Sequence, residues 1–154
     1  MQNKAATFIG HRECWGLKED RVKAEIERLI INGVTEFYNG GMGDFDWMCA
    51  RLVFRLKQQY PHIKNYLVIP YLTFRISERS YFDEVLFPEG LESCHFKAAI
   101  PKRNRFLVQQ AGYALCYVKY SWGGAAQTYK FAQKQGLSLI NLAESADEEA
   151  PSRQ

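Results

Sequence analysis

The sequence has no CxxC pair and no HxxxH pair, and its four cysteines and three histidines are scattered. A structural zinc site needs several soft ligands at close spacing, so that spacing argues against a metal. Cys94-His95 is the only adjacent soft pair, whereas Cys49 and Cys116 fall within apolar periodic stretches and read as small core residues. Disulfides are not expected. No apolar run approaches the roughly 20 residues of a membrane span, so no membrane partner is expected. The apolar stretch near Met1 stops at Gly10-His11-Arg12, too short for the core of an export signal. A reducing, cytoplasmic setting follows as the expectation. Neither GK[ST] nor GxGxxG occurs, which removes the two best-defined phosphate-binding loops. There is no internal repeat and no linker.

What remains is an ordinary globular composition: 154 residues, 47% apolar and 24% charged. That length suits one domain with a sizeable core. The formal charge of +3 is unevenly spread. Residues 144–154 hold four acids against one arginine, so residues 1–143 carry 19 cations against 13 acids, or +6. We expect a single domain over 1–143 and a disordered acidic tail over 144–154.

Along the chain, apolar stretches alternate with helical periodicity. Ala5 to Ile9 reads as a first strand, and Lys18 to Asn32 as a helix with Val22, Ile26, Leu29 and Ile30 on one face. Val34 to Tyr38 is a second strand, and Phe45 to Tyr60 a second helix ended by Pro61. Asn65 to Tyr71 is a third strand. Leu72 to Ala99 is an excursion with one short helix around Ser80 to Val85; a loop this long inside a domain is usually functional. Pro101 fits the first turn of a helix running to Ala111. Tyr113 to Lys119, Ala125 to Gln135 and Leu137 to Leu142 follow as strand, helix and strand. Nearly continuous apolar strands between helices imply an α/β, Rossmann-like three-layer fold with a mainly parallel five-stranded sheet.

In such a sheet ligands bind beyond the carboxyl ends of the strands, where free N–H groups and the helix dipole favour anions. The unusual residues of this chain collect there. Gly10, His11 and Arg12 follow the first strand, as a phosphate or carboxylate site or as a solvated turn. Asn39-Gly40-Gly41-Met42-Gly43-Asp44-Phe45-Asp46 follows the second. Its glycines suggest a backbone cradle, and Asp44 or Asp46 either caps the helix or faces a ribose. Tyr71, Thr73 and Arg75 follow the third strand, with Tyr71 read first as aromatic core. Lys102, Arg103, Asn104 and Arg105 are placed at a helix N-terminus, where cations oppose the dipole and an anion would compensate. Trp122, Gly123, Gly124 and the small residues up to Thr128 form a second cradle.

These blocks resemble the SLOG superfamily, the Rossmann-like group of SMF/DprA and LOG proteins, and within it the YpsA-like branch. The resemblance rests on Phe8-Ile9-Gly10-His11-Arg12, on Gly40 through Asp46, and on Tyr60-Pro61-His62-Ile63. It continues through Lys102 to Val108 and Trp122-Gly123-Gly124-Ala125-Ala126, spanning about residues 7 to 142. It implies a site for nucleotides or nucleotide-derived molecules. The LOG relatives are phosphoribohydrolases with a GGxGTxxE block. Here Gly40-Gly41-Met42-Gly43 matches its start, Asp44 replaces the Thr, and Trp47 stands at the Glu position. Asp46, one residue earlier and so rotated by about 100° on a helix, matches the aspartate of the YpsA-like branch.

Three readings follow, in this order. The first is a sensor or sequestering module for a nucleotide-derived small molecule, expected to be a homo-oligomer and to need no cofactor. Gly40, Gly41, Gly43, Gly123 and Gly124 would supply backbone donors. His11, Arg12 and Arg103 would meet phosphate, Asp46 would hold ribose hydroxyls, and Trp122 or Tyr71 would stack on a base. Asp44, Asn104 and Thr128 would complete the lining. The second is a nucleotide N-glycosidase, with Asp46 as the catalytic carboxylate and His11 as proton-transfer partner. The third is single-stranded nucleic-acid binding, as in DprA relatives, which needs a basic groove with stacking aromatics.

Overall fold

The computed structural model describes residues 3–143; the expected acidic tail lies outside the described residues. β1 (Ala5–Gly10), β2 (Glu36–Asn39) and β3 (Lys64–Val68) alternate with α1 (Glu19–Ile31) and α2 (Asp44–Leu56). β4 (Glu84–Leu86), α3 (Phe96–Gln110), β5 (Tyr113–Tyr117), α4 (Gly124–Lys134) and β6 (Ser138–Asn141) follow. The six strands form one sheet in the order β4-β3-β2-β1-β5-β6. Every pairing is parallel. The chain winds outward from β1 to β4, then returns past β1 to build β5 and β6. The order therefore reverses between β1 and β5, which opens a crevice beyond their carboxyl ends.

Side-chain alternation divides the core between the two faces. Ala6, Phe8, Phe37, Leu115 and Tyr117 pack under α1 and α2, with Val22, Ile26, Cys49 and Val53. On the other face Ile9, Ala114 and Cys116 meet Val108 of α3 and Ala132 of α4. Phe37 is fully buried, a burial that contributes roughly 1.5–3 kcal/mol. α1 places Glu19 and Asp20 in its first turn and Arg28 in its last, which suits the dipole. Among the described residues no helix is long and apolar enough to cross a membrane.

Three expectations need correction. The sheet has six strands, not five, and is wholly parallel. The stretch around Ser80 to Val85 is not a helix: a single 3-10 turn covers Arg79–Tyr81 and β4 follows at once, pairing Val85 with Leu67. That edge strand has three residues and none fully buried, so it carries little apolar signal. Finally, α3 starts at Phe96 rather than Pro101. His95 caps it, its Nδ1 accepting from the Lys97 N–H at 3.2 Å. Pro101 is tolerated inside the helix at the loss of one backbone hydrogen bond. Lys102 to Arg105 consequently lie beyond the first turn, and the dipole argument for an anion beside them lapses.

Candidate functional site

A cleft of about 780 Å³ opens beyond the carboxyl ends of β1, β2 and β3. Its floor is the β1 end with Gly10, His11 and Arg12, and one wall is Gly41 to Gly43 with Asp46 and Trp47. The excursion after β3 contributes Tyr71, Phe74, Arg75 and Ser77, α3 contributes Arg103 and Asn104, and α4 contributes Gly124, Ala125 and Thr128.

The wall after β2 is braced from within. Asn39, fully buried, accepts from the Gly41 N–H at 2.7 Å and donates to the Asp46 carbonyl at 2.8 Å. The Trp47 indole donates to the Gly41 carbonyl at 2.9 Å. Asp46 Oδ2 accepts from the Met42 N–H at 3.0 Å. The expected cradle of free amides therefore has two of its N–H groups occupied by its own side chains. Gly43 caps α2 at φ 97° and ψ 170°, a region essentially open only to glycine. A Cβ there would stand 2.7 Å from the Arg12 Cα. No side chain caps the helix, and the Asp44 N–H donates to the Arg12 carbonyl at 2.7 Å.

Arg103 is 1% exposed. Its Nη1 donates at 2.8 Å to both Gly40 and Val68 carbonyls, and its Nε donates to Asn104 Oδ1 at 2.9 Å. The guanidinium also lies 5.8 Å from the centre of the Phe74 ring. It holds the glycine loop rather than projecting into solvent, and a Cβ at Gly40 would come within 3.2 Å of it. Burial lowers its pKa to about 10, opposed by the charge of Asp46. Asp46 is 7% exposed and its Oδ1 has no hydrogen-bond partner. Burial pushes its pKa up to about 7, against the Met42 N–H and the Arg103 charge, which both lower it.

α4 presents the open donors. Gly123 caps it at φ 95° and ψ 176°, nearly the geometry of Gly43. No side chain caps it and no acid stands in its first turn. The first three N–H groups, from Gly124, Ala125 and Ala126, have no partner inside the helix. The Thr128 hydroxyl donates back to the Gly124 carbonyl at 2.9 Å.

His11 Nε2 accepts from the Lys119 N–H at 2.8 Å and the Tyr120 N–H at 3.3 Å. Its ring proton is therefore on Nδ1. Burial and the Lys119 charge lower its pKa. This imidazole ties the loop after β5 to the end of β1.

Of the residues expected at the site, Gly10, His11, Arg12, Gly41, Gly43, Asp46, Tyr71, Arg103, Asn104, Gly124 and Thr128 line the cleft. Gly40, Asp44, Trp122 and Gly123 are not in its lining. Asn39 and Trp47 act as braces, a role that sequence reasoning did not assign to them; the one available signal was their position flanking the glycines. Among the described residues no group of His, Cys, Asp and Glu is placed to hold a metal.

No family model and no curated protein matches the chain. Solved structures that share its fold include two DNA processing proteins. One is DNA processing protein A from Helicobacter pylori, described for its single-stranded DNA binding mode, with a TM-score of 0.64 and 17% identity over 89% of this chain and 64% of that one. The other is DNA processing protein A (DprA) from Streptococcus pneumoniae, with a TM-score of 0.55 and 14% identity over 94% of this chain and 61% of that one. The chain thus spans less than two thirds of either neighbour. Both similarities are of fold, a Rossmann-like α/β architecture.

Proposed function

We propose that the cleft binds a nucleotide or nucleotide-derived small molecule, in a sensing or sequestering role. The observation that carries this reading is the pairing of two features in one cleft. The uncapped, glycine-started N-terminus of α4 brings the backbone donors of Gly124 and Ala125 into the lining, and Asp46 in the same lining keeps a buried, unbonded Oδ1 that a side-chain rotation would turn to a ribose hydroxyl. An anion at such a terminus gains roughly 0.3–1 kcal/mol, and up to about 2 where partly buried. Arg12 and Arg75, both in the lining, add positive charge. Of the two glycine cradles expected to supply backbone donors, the α4 one is favoured, because the Gly41 and Met42 amides of the other are occupied. Arg103 becomes a brace of the loop.

The neighbour from Helicobacter pylori is described as binding single-stranded DNA. A small molecule is favoured for this chain because the deepest cation in the cleft, Arg103, is bound to carbonyls, and Asp46 faces the ligand from the same wall. Both features disfavour a continuous phosphate backbone along that wall.

Calorimetric titration with AMP, ADP and their guanine, cytosine and uracil counterparts tests the reading. Gly124 has open space beyond its Cα and a φ outside the left-handed region, so Gly124→Val fills the phosphate position without backbone strain. At least one nucleotide should bind saturably to the wild type and about tenfold or more weaker to Gly124→Val, since a backbone donor cradle works only on close approach. Absence of binding across the panel, or equal binding by the variant, would overturn the reading.

A further inference from the structure

A second cavity of about 390 Å³ lies against the main cleft, with His11 and Arg12 lining both. Trp15, Lys119 and Tyr120 complete the part relevant here. Two of its aromatic residues are open for their size, Trp15 at 81% exposed and Tyr120 at 44%, and Trp122, which stacks on Tyr120 outside the lining, is 68% exposed. They are also ordered. The Tyr120 ring lies 4.9 Å from the His11 ring and 4.6 Å from the Trp122 ring, the latter pair stacked at 26°. His11 ties the backbone of this column to the end of β1 through the two N–H groups it accepts. Lys119 Nζ sits 5.9 Å from the centre of the Tyr120 ring. The Trp15 indole N–H donates to Glu13 at 3.3 Å, which orients a ring that is otherwise in solvent.

A solvent-facing indole and the Tyr120–His11 ring pair lining one cavity, with cations beside them, match a planar base attached to phosphate. We propose that the second cavity takes a second nucleobase, joined through phosphate to the nucleoside in the main cleft, so that the ligand is a dinucleotide. This rests on the nucleotide reading of the main cleft. His11 and Arg12 stand where the bridging phosphates must pass, and Arg12 supplies the charge there. Trp15 supplies the stacking face, and Glu13 an acceptor for an exocyclic amine.

The test compares ADP with diadenosine diphosphate, which adds a second adenosine through the same phosphates, by calorimetry on the full chain. The second adenosine should tighten binding about tenfold or more, as expected for one stacked base. Trp15→Ala should bring diadenosine diphosphate to the level of ADP while leaving ADP binding unchanged, and Trp15→Phe should restore part of the gain. Trp15 is exposed enough that neither variant threatens the fold. If ADP binds and the second adenosine adds nothing, the second subsite is wrong and the main-cleft reading stands. If Trp15→Ala weakens both ligands alike, the second subsite is also wrong. If neither ligand binds, the adenine dinucleotide is wrong, and if no nucleotide of the panel binds, both proposals fall. An oligothymidylate binding more tightly than diadenosine diphosphate, and dependent on Trp15, would replace the dinucleotide by a single strand.

Discussion

Asp46 and Arg103 hold the same glycine loop without spending all of Asp46. Arg103 Nη1 donates to the Gly40 carbonyl at 2.8 Å, and Asp46 Oδ2 accepts from the Met42 N–H at 3.0 Å. Asp46 Oδ1 is left buried and unbonded. A buried acceptor without a donor costs about 1–3 kcal/mol, a cost that a ligand hydroxyl would offset if Asp46 turned Oδ1 into the cleft.

Replacing Arg103 tests the brace. Arg103→Met keeps the length of the side chain but strips the Gly40 and Val68 carbonyls of their shared donor. The variant should lose about 3–5 kcal/mol of stability in urea unfolding, the scale for breaking a buried charged network. A loss below about 1 kcal/mol, the scale of an exposed pair, would mean that the arginine is not structural.

The titration of Asp46 gives a pH dependence of definite sign. Its pKa is raised from 3.8 to about 7 in the fold. Between those values the folded chain keeps a proton that the unfolded chain has lost, so the stability contributed by this group falls as pH rises through the window. Asp46→Asn removes that slope. At about pH 8 the variant should be more stable than wild type by roughly 1–4 kcal/mol, and the gap should close as the pH is lowered. Thermal melts across the range check it; parallel profiles for the two proteins would contradict the assignment.

The two glycine caps should differ in what they tolerate. Gly43 and Gly123 share a positive φ, so alanine strains either one by about 1–3 kcal/mol. At Gly43 the new Cβ also meets the Arg12 backbone at 2.7 Å, whereas at Gly123 nothing lies within 4 Å. Gly43→Ala should be clearly the more destabilising of the pair in denaturant unfolding. Equal losses would show that strain alone governs both positions.

The frame of the fold was legible because α1 and α2 bury regular apolar faces between strands such as Ala5–Gly10 and Tyr113–Tyr117. The start of α3 was not. Its first turn is mostly exposed, its cap is a histidine, and Pro101 looks like a beginning when it is an interior residue. β4 was hidden by its length and partial burial. At the site, position was readable and role was not. The blocks at Gly10–Arg12, Gly41–Asp46 and Gly124–Thr128 do converge on one cleft, because parallel topology sends every β-to-α loop to the same end of the sheet. Nothing in local sequence distinguishes an arginine that meets phosphate from one that meets two carbonyls, since the partners of Arg103 lie 35 and 63 residues away.

The N-glycosidase alternative makes a separate expectation. It needs an ionised carboxylate at the sugar and a mobile proton. Burial raises the Asp46 pKa to about 7, so only part of the population is ionised near that pH, and His11 Nε2, the acceptor a proton transfer would use, is committed to two backbone donors. Wild-type protein should therefore release no free base from a nucleotide panel followed by chromatography. Release that disappears in Asp46→Ala would instead assign turnover to this carboxylate.

The most direct test of phosphate binding at α4 is the response of individual amides in a nitrogen–proton correlation spectrum during titration with the best-binding nucleotide. The account predicts saturable shifts of the Gly124, Ala125 and Ala126 amides, with smaller changes at Gly41 to Gly43 where the loop is already bonded. Saturable binding that leaves the amides of Gly124, Ala125 and Ala126 unmoved would contradict it.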